Sequence, residues 1–244
     1  MLFDAHIHFG QFEETYYTPP RILRTLSNVG ITHFAYSSTS AVVTDDPVFM
    51  QEERHAMKEL SKGRAVPLLW VTHSMLRKSK DLALYLDEEI RGLKIHGISE
   101  SWTTKELNRA LSIAREQGLA VKFHTGEFPQ CYAGAYASLC KKFSDVKIIL
   151  AHGRPLDQTI QVLEQCPNAF VDTAFMPHEH LQKLLDKGFS RRILFGTDTP
   201  IPGRFLKSSL TRYLQRRIAT SKKIAGIYWA DISSKNAQIL FGGF

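Results

Sequence analysis

The 244-residue chain has little cysteine: Cys131, Cys140 and Cys166 are an odd number and lack Cys-x-x-Cys spacing. This argues against a disulfide framework and fits a reducing, cytoplasmic setting. Cys131 falls near residues singled out below, but a packed thiol is the plainer expectation. No run approaches the roughly 18–20 apolar residues of a membrane span. Met1 leads into an apolar strand with no basic leader, so neither membrane attachment nor a signal peptide is expected. A Gly-rich dinucleotide loop and a Gly-x-x-x-x-Gly-Lys-Ser/Thr loop are both missing, and with them the usual nucleotide motifs. Nor is there a Gly-, Ser- or Pro-rich linker, so residues 1–244 are expected to form one domain. Acidic residues are absent between Arg204 and Lys223, where seven basic ones stand in a chain of net charge +7. Such an excess can attract nucleic acid. However, Phe205, Leu206, Leu210, Tyr213, Leu214 and Ile218 recur near helical spacing, so the basic residues are expected on the solvated face of an amphipathic helix.

What is present is ordinary globular composition, 43% apolar and 23% charged, arranged as a repeat. Eight short β-rich segments begin at Leu2, Ile31, Ala65, Gly92, Ala120, Val146, Ala169 and Arg192, most of them followed by a helix-period segment. Helices are expected over about 20–28, 46–61, 80–89, 104–116, 136–143, 155–165, 179–187 and the basic stretch, with a closing helix over 233–240. Gly30, Gly63 and Gly118 serve as stops, and a threonine caps the 104–116 helix. Strand starts fall roughly every 22–33 residues, as in repeated βα units. Eight such units in about 250 residues describe an α/β fold of the (β/α)8 TIM-barrel type. A doubly wound open sheet is the alternative.

The chemistry sits at the strand ends. In Asp4-Ala5-His6-Ile7-His8 the alternation of a strand points His6 and His8 to one face, ~6.6 Å apart at the backbone. Later strands end in His96, in His124 of KFHTGE, in His152 of AHGR and in Asp198 of LFGTDTP. A barrel gathers those ends into one ring. Neutral imidazole and carboxylate are the ligands that zinc and similar divalent ions take, and a catalytic site leaves a position open for water.

These stretches, with GLKIHG at 92–97 and the closing NAQILFG at 236–242, resemble the amidohydrolase superfamily along the whole chain. The closest resemblance is to its branch of small barrels that holds metal-dependent hydrolases and non-oxidative decarboxylases. The resemblance implies His6, His8, His124 and Asp198 as metal ligands, with Asp198 also taking a proton from the attacking water. It implies His152 as a second catalytic residue, which positions water or polarises substrate in mononuclear members. In binuclear members His152 binds a second ion, and a carboxylated lysine at the position of Lys94 bridges the two. Lys94 otherwise reads as an inward lysine donating to a carboxylate or to substrate; one ion is favoured over two. Zinc is the first expectation and manganese the second.

Substrate contacts are assigned to Arg154 (a fork for a carboxylate, or an ordinary ion pair), His96 and Trp102, with Phe128 as a further apolar wall. Glu127 supports a ligand histidine. His73, His178 and His180 read as surface or rim residues. The leading function is hydrolysis of a lactone, ester or amide bond in a small carboxylated molecule. The alternative is non-oxidative decarboxylation of an aromatic or enoic acid. A metal-dependent nuclease ranks lower, because Lys94 stands where that group commonly has a glutamate. Neither nucleic-acid nor membrane partners are expected, and the oligomeric state is open.

Overall fold

The structure is a computed structural model that describes residues 1–44, 46–77, 81–206 and 208–242. Its sheet begins with β1 (Phe3–Phe12), which turns back through the short antiparallel β2 (Thr15–Tyr17). β3 (His33–Ser38), β4 (Ala65–Trp70), β5 (Gly92–Ile95), β6 (Ala120–His124), β7 (Ile148–Ala151), β8 (Ala169–Asp172) and β9 (Ile193–Leu194) follow. β1 pairs in parallel with β3, and from β3 onward each strand pairs in parallel with the next. The ring closes between its two ends. Ala5 N–H donates to the Phe195 carbonyl (2.7 Å), Asp198 N–H to His6 (2.8 Å) and His8 N–H to Thr199 (2.7 Å), and Ile7 bridges Thr199. Eight parallel strands therefore form a (β/α)8 barrel, with β2 outside the repeat.

The helices are α1 (Pro19–Ser27), α2 (Pro47–Ser61), α3 (His73–Arg77), α4 (Asp81–Tyr85), α5 (Thr104–Glu116), α6 (Ala137–Lys142), α7 (Leu156–Gln165), α8 (His178–Asp186), α9 (Leu210–Ala225) and α10 (Asn236–Phe241). Their starts follow local chemistry. The Asp46 carboxylate accepts from Val48 N–H at 2.9 Å. Thr103 and Glu106 form a reciprocal capping box at α5. The helix expected over 80–89 is instead the five-residue α4; Lys80 lies outside the described residues.

The basic helix begins only at Leu210, after a 3-10 turn over Ile201–Arg204 that contains Pro202 and Gly203. One of its basic residues departs from the solvated face expected of it: Arg217 is buried and donates to the Thr173 carbonyl. Arg204, in the turn before the helix, is exposed and pairs with Glu13. Phe205 is not packed inside: it is 74% exposed.

The barrel interior is built in layers. Phe3, Ala5, Val66, Leu68, Ala120, Ile149, Phe170 and Leu194 form an apolar cluster that α10 closes with Ala237, Leu240 and Phe241. The Phe3 and Phe241 rings stack at 6.0 Å. Ile7 and Phe9 belong to the other cluster, with the helix-facing Leu93, Ile95, Ile148 and Leu150. The alternation along β1 therefore changes phase between Ala5 and Ile7, where the β1–β3 register also shifts. Plain alternation would put Asp4 on the face of His6 and His8. The bulge instead stacks His6 and His8 above Phe3 and Ala5.

Candidate metal centre

β1 presents His6 and His8 with their Nε2 atoms 3.2 Å apart. The Asp198 Oδ1 atom lies 3.0 Å from His8 Nε2 and 3.5 Å from His6 Nε2. Ligands 2.0–2.2 Å from a tetrahedral ion stand about 3.4 Å apart, so the triangle has the size of one face of such a site. That oxygen is buried and accepts no well-formed hydrogen bond, an omission that costs free energy unless a cation meets it.

Hydrogen-bond partners assign the tautomers. His6 Nδ1 donates to Asp172 Oδ2 (2.9 Å) and His8 Nδ1 to the Ser37 carbonyl (3.2 Å). His152 Nδ1 donates to the Ala174 carbonyl (3.0 Å) and His124 Nε2 to Glu127 Oε2 (2.7 Å). Each ring therefore turns a bare nitrogen inward. His124 Nδ1 and His152 Nε2 face each other at 3.2 Å, two lone pairs with no proton between them. Bare imidazoles around an ionised carboxylate fit a divalent ion.

The electrostatics agree. Burial holds His6, His96 and His124 below the usual imidazole range and brings His152 down to about 3, each against or beside its charged neighbours. Burial raises Asp198, but His6, His8 and His152 outweigh it and hold the carboxyl well below the usual range. Lys94 is buried, 3.4 Å from His6 Nε2; burial and the neighbouring Lys122 bring its ammonium down to about 8.

Local backbone serves the same end. Asp198, His152 and Glu127 have φ of +62°, +70° and +60°, a region that costs non-glycine residues free energy and concentrates at functional sites. The turn at His152 ends β7 at Ala151, one residue short of the expected strand end, and β9 ends at Leu194, four residues before Asp198. The chain leaves the ladder where it must aim a ligand.

The structure thus brings His6, His8 and Asp198 into one donor set, with His152 Nε2 4.0 Å from Asp198 Oδ2. His124 stands against His152 and is not in that triangle. A second grouping of donor atoms, His6–His152–Asp172, has no free carboxylate oxygen. Asp172 Oδ2 already meets His6 and, at 3.5 Å, Lys122, and Oδ1 accepts from the amides of His152 and Ala174.

His96 and Arg154 line a cavity of about 470 Å³ above the triangle, with Lys94, Trp70 and Phe175. Arg154 forms the ion pair, to Glu127 (2.8 Å). Trp102 and Phe128 are not in that lining: Trp102 packs on His73 at 4.5 Å, and Phe128 is half exposed. His73 itself is held by Glu106 at 2.9 Å. His178 and His180 begin α8, partly buried. All three cysteines are free and buried.

Sequence reasoning passed over Asp172 and Lys122. Asp172 ends β8 as His124 ends β6, which was a usable signal; a lysine inside an apolar run is one only once the fold is known.

The amidohydrolase family model matches residues 3–227. The chain belongs to that family and is an enzyme of the amidohydrolase superfamily, a group that generally binds a divalent metal. Among solved structures it resembles a probable 2-pyrone-4,6-dicarboxylic acid hydrolase of Acinetobacter baumannii with citric acid bound (TM-score 0.72, 15% identity, 99% of each chain). It also resembles an amidohydrolase of Burkholderia multivorans with bound zinc (0.72, 12%, 100% of each). A third is the 5-carboxyvanillate decarboxylase of Sphingomonas paucimobilis (0.71, 12%, 100% of this chain and 99% of that one). At these identities the likeness concerns the fold. No curated protein matches the sequence significantly. Among the described residues no helix is long and apolar enough to cross a membrane.

Proposed function

We propose that the enzyme is a hydrolase that uses one divalent ion, zinc before manganese, to cleave a lactone, ester or amide bond in a small carboxylated molecule. The observation that carries this reading is the Asp198 carboxylate: one oxygen completes the His6–His8 triangle without a hydrogen bond of its own, and the other faces the cavity beside His152. His6, His8 and Asp198 would hold the ion, with His124 beside them. A divalent ion there lowers the pKa of water and polarises a carbonyl.

The chain's own groups do the rest. Asp198 accepts the proton of the attacking water and returns it to the leaving oxygen or nitrogen. His152, kept neutral by burial, accepts a hydrogen bond at Nε2 and fixes the water or substrate. Lys94, 3.4 Å from His6 Nε2, offers its ammonium to a substrate anion. Arg154 offers a second cation once its bond to Glu127 yields.

The test is turnover of small lactones and esters by protein loaded with a stoichiometric ion, read together with metal content per chain. Release of carbon dioxide from aromatic acids, with no lactone or ester turned over, would replace hydrolysis by decarboxylation. Two ions per chain would overturn the single-ion reading.

A further inference from the structure

The cavity has two unlike parts. Its floor is the ring of imidazoles, Asp198 and Lys94; its mouth is mostly apolar, with Phe12, Val42, Val43, Ile201 and Phe205 beside the polar Gln11 and Glu13. Each mouth residue lies farther along the chain from a floor residue. Phe12 is four residues beyond His8 on β1, about 13 Å at the rise of a strand. Val42 and Val43 follow Ser37, whose carbonyl meets His8. Ile201 and Phe205 follow Asp198.

Three of these side chains are bare: Val42 is 52%, Val43 61% and Phe205 74% exposed. Clustered exposed apolar surface beside a site marks a place that a ligand covers.

The mouth is also fastened by hydrogen bonds and an ion pair. The buried Glu53 carboxylate of α2 accepts from the hydroxyls of Ser38 (2.6 Å), Ser40 (2.8 Å) and Tyr16 (2.8 Å). Ser40 Oγ in turn accepts from Gln11 N–H at 2.9 Å. Gly10, at φ +92°, admits this approach, since a Cβ there would stand 2.5 Å from Ser40 Oγ and 2.6 Å from Ser38 Oγ. On the other side, Arg204 pairs with Glu13 and lies 4.6 Å from the centre of the Phe12 ring. Three loops are thus tied into a collar that leaves apolar side chains pointing at an open cavity.

We propose that the substrate carries an apolar limb, alkyl or aryl, which runs from the reacting group on the floor outward between Val43 and Phe205. The substrate class is then an amphipathic carboxylic acid derivative, not a compact polar acid. This rests on the reading of the floor as a hydrolytic centre, and the experiment separates the two.

Zinc-loaded protein is titrated with straight-chain carboxylates from acetate to octanoate by ligand-observed NMR, and assayed on γ-lactones with matching alkyl chains. Affinity is expected to rise up to about fourfold per methylene, and kcat/KM in parallel. In the Val43→Ser, Phe205→Ser double variant, which alters only exposed side chains, the gain per methylene should fall to less than half of that.

An affinity independent of chain length, or a gain undiminished in the double variant, overturns the collar as the limb site. A chain-length gain in binding that the variant removes supports the collar even if no lactone is turned over, and that result counts against hydrolysis alone. Turnover with a flat dependence on chain length leaves hydrolysis standing and rejects the limb.

Discussion

Asp172 holds four groups with one carboxylate: the His6 ring, the Lys122 ammonium, and the amides of His152 and Ala174. It thereby fixes which nitrogen of His6 faces the cavity. Asp172→Asn should weaken zinc binding roughly 10–100-fold, read by competition with a chelator; unchanged affinity would show that His6 needs no such anchor. His6→Ala should remove most of the metal, and full metal content in that variant would reject the ligand assignment. Asp198→Asn should lower kcat by at least about 100-fold while leaving the Tm close to that of the parent, because the loss falls on proton transfer and on the ion that the carboxylate helps to hold. An active Asp198→Asn enzyme would deny the residue its role as base. At this scale the ligand types were legible in the sequence, since His-x-His and strand-end histidines declare themselves by position. Asp172 offered only its strand-end position: an aspartate becomes a support when a fold sets it behind an imidazole.

Among the elements, α5 matches its expected bounds because its signals are local, a Thr103–Glu106 capping box before it and Gly118 after it. Thr103→Ala should cost about 1 kcal/mol of stability, measured as a fall in denaturation midpoint with activity retained; no change would mean that tertiary contacts alone hold the helix start. β1 and β9 were less legible. The phase change within β1 depends on the strand pairing with β3 and with the chain after β9, partners nearly 30 and 190 residues away. The helix of basic residues starts late for a local reason that apolar spacing conceals: the turn through Pro202 and Gly203 takes Phe205 out of the helical run and leaves it at the cavity mouth.

For the whole molecule, the buried ring of imidazoles sets how stability answers to pH. His6, His96, His124 and His152 all titrate below their usual range, so the unfolded chain binds protons that the folded chain refuses. Their contribution is complete above about pH 6.5 and is lost as pH falls, for His152 toward its value of about 3. Asp4 acts in the opposite sense. Burial lifts its carboxyl from 3.8 to about 7, so its contribution is complete below 3.8 and is lost as pH rises toward 7. Four groups outweigh one, and the Tm of chelator-treated protein should fall between pH 7 and pH 5. A Tm that is flat or rises over that interval would contradict the neutral, buried state of the ring.

The order of candidate ligands along the chain, the repeat of βα units and the closing helix followed from the sequence alone, because residue type, periodicity and caps act over a few positions. Tertiary structure decided the rest. It chose the inward nitrogen of each histidine, gave Arg154 to Glu127, packed Trp102 on His73, and tied three separate loops into the apolar collar. Each of these depends on partners distant in sequence, whose approach is set by closure of the barrel. The first strand's two histidines needed only alternation to share a face; to stand above Phe3 and Ala5 and meet Asp198, they needed the bulge and the closed ring.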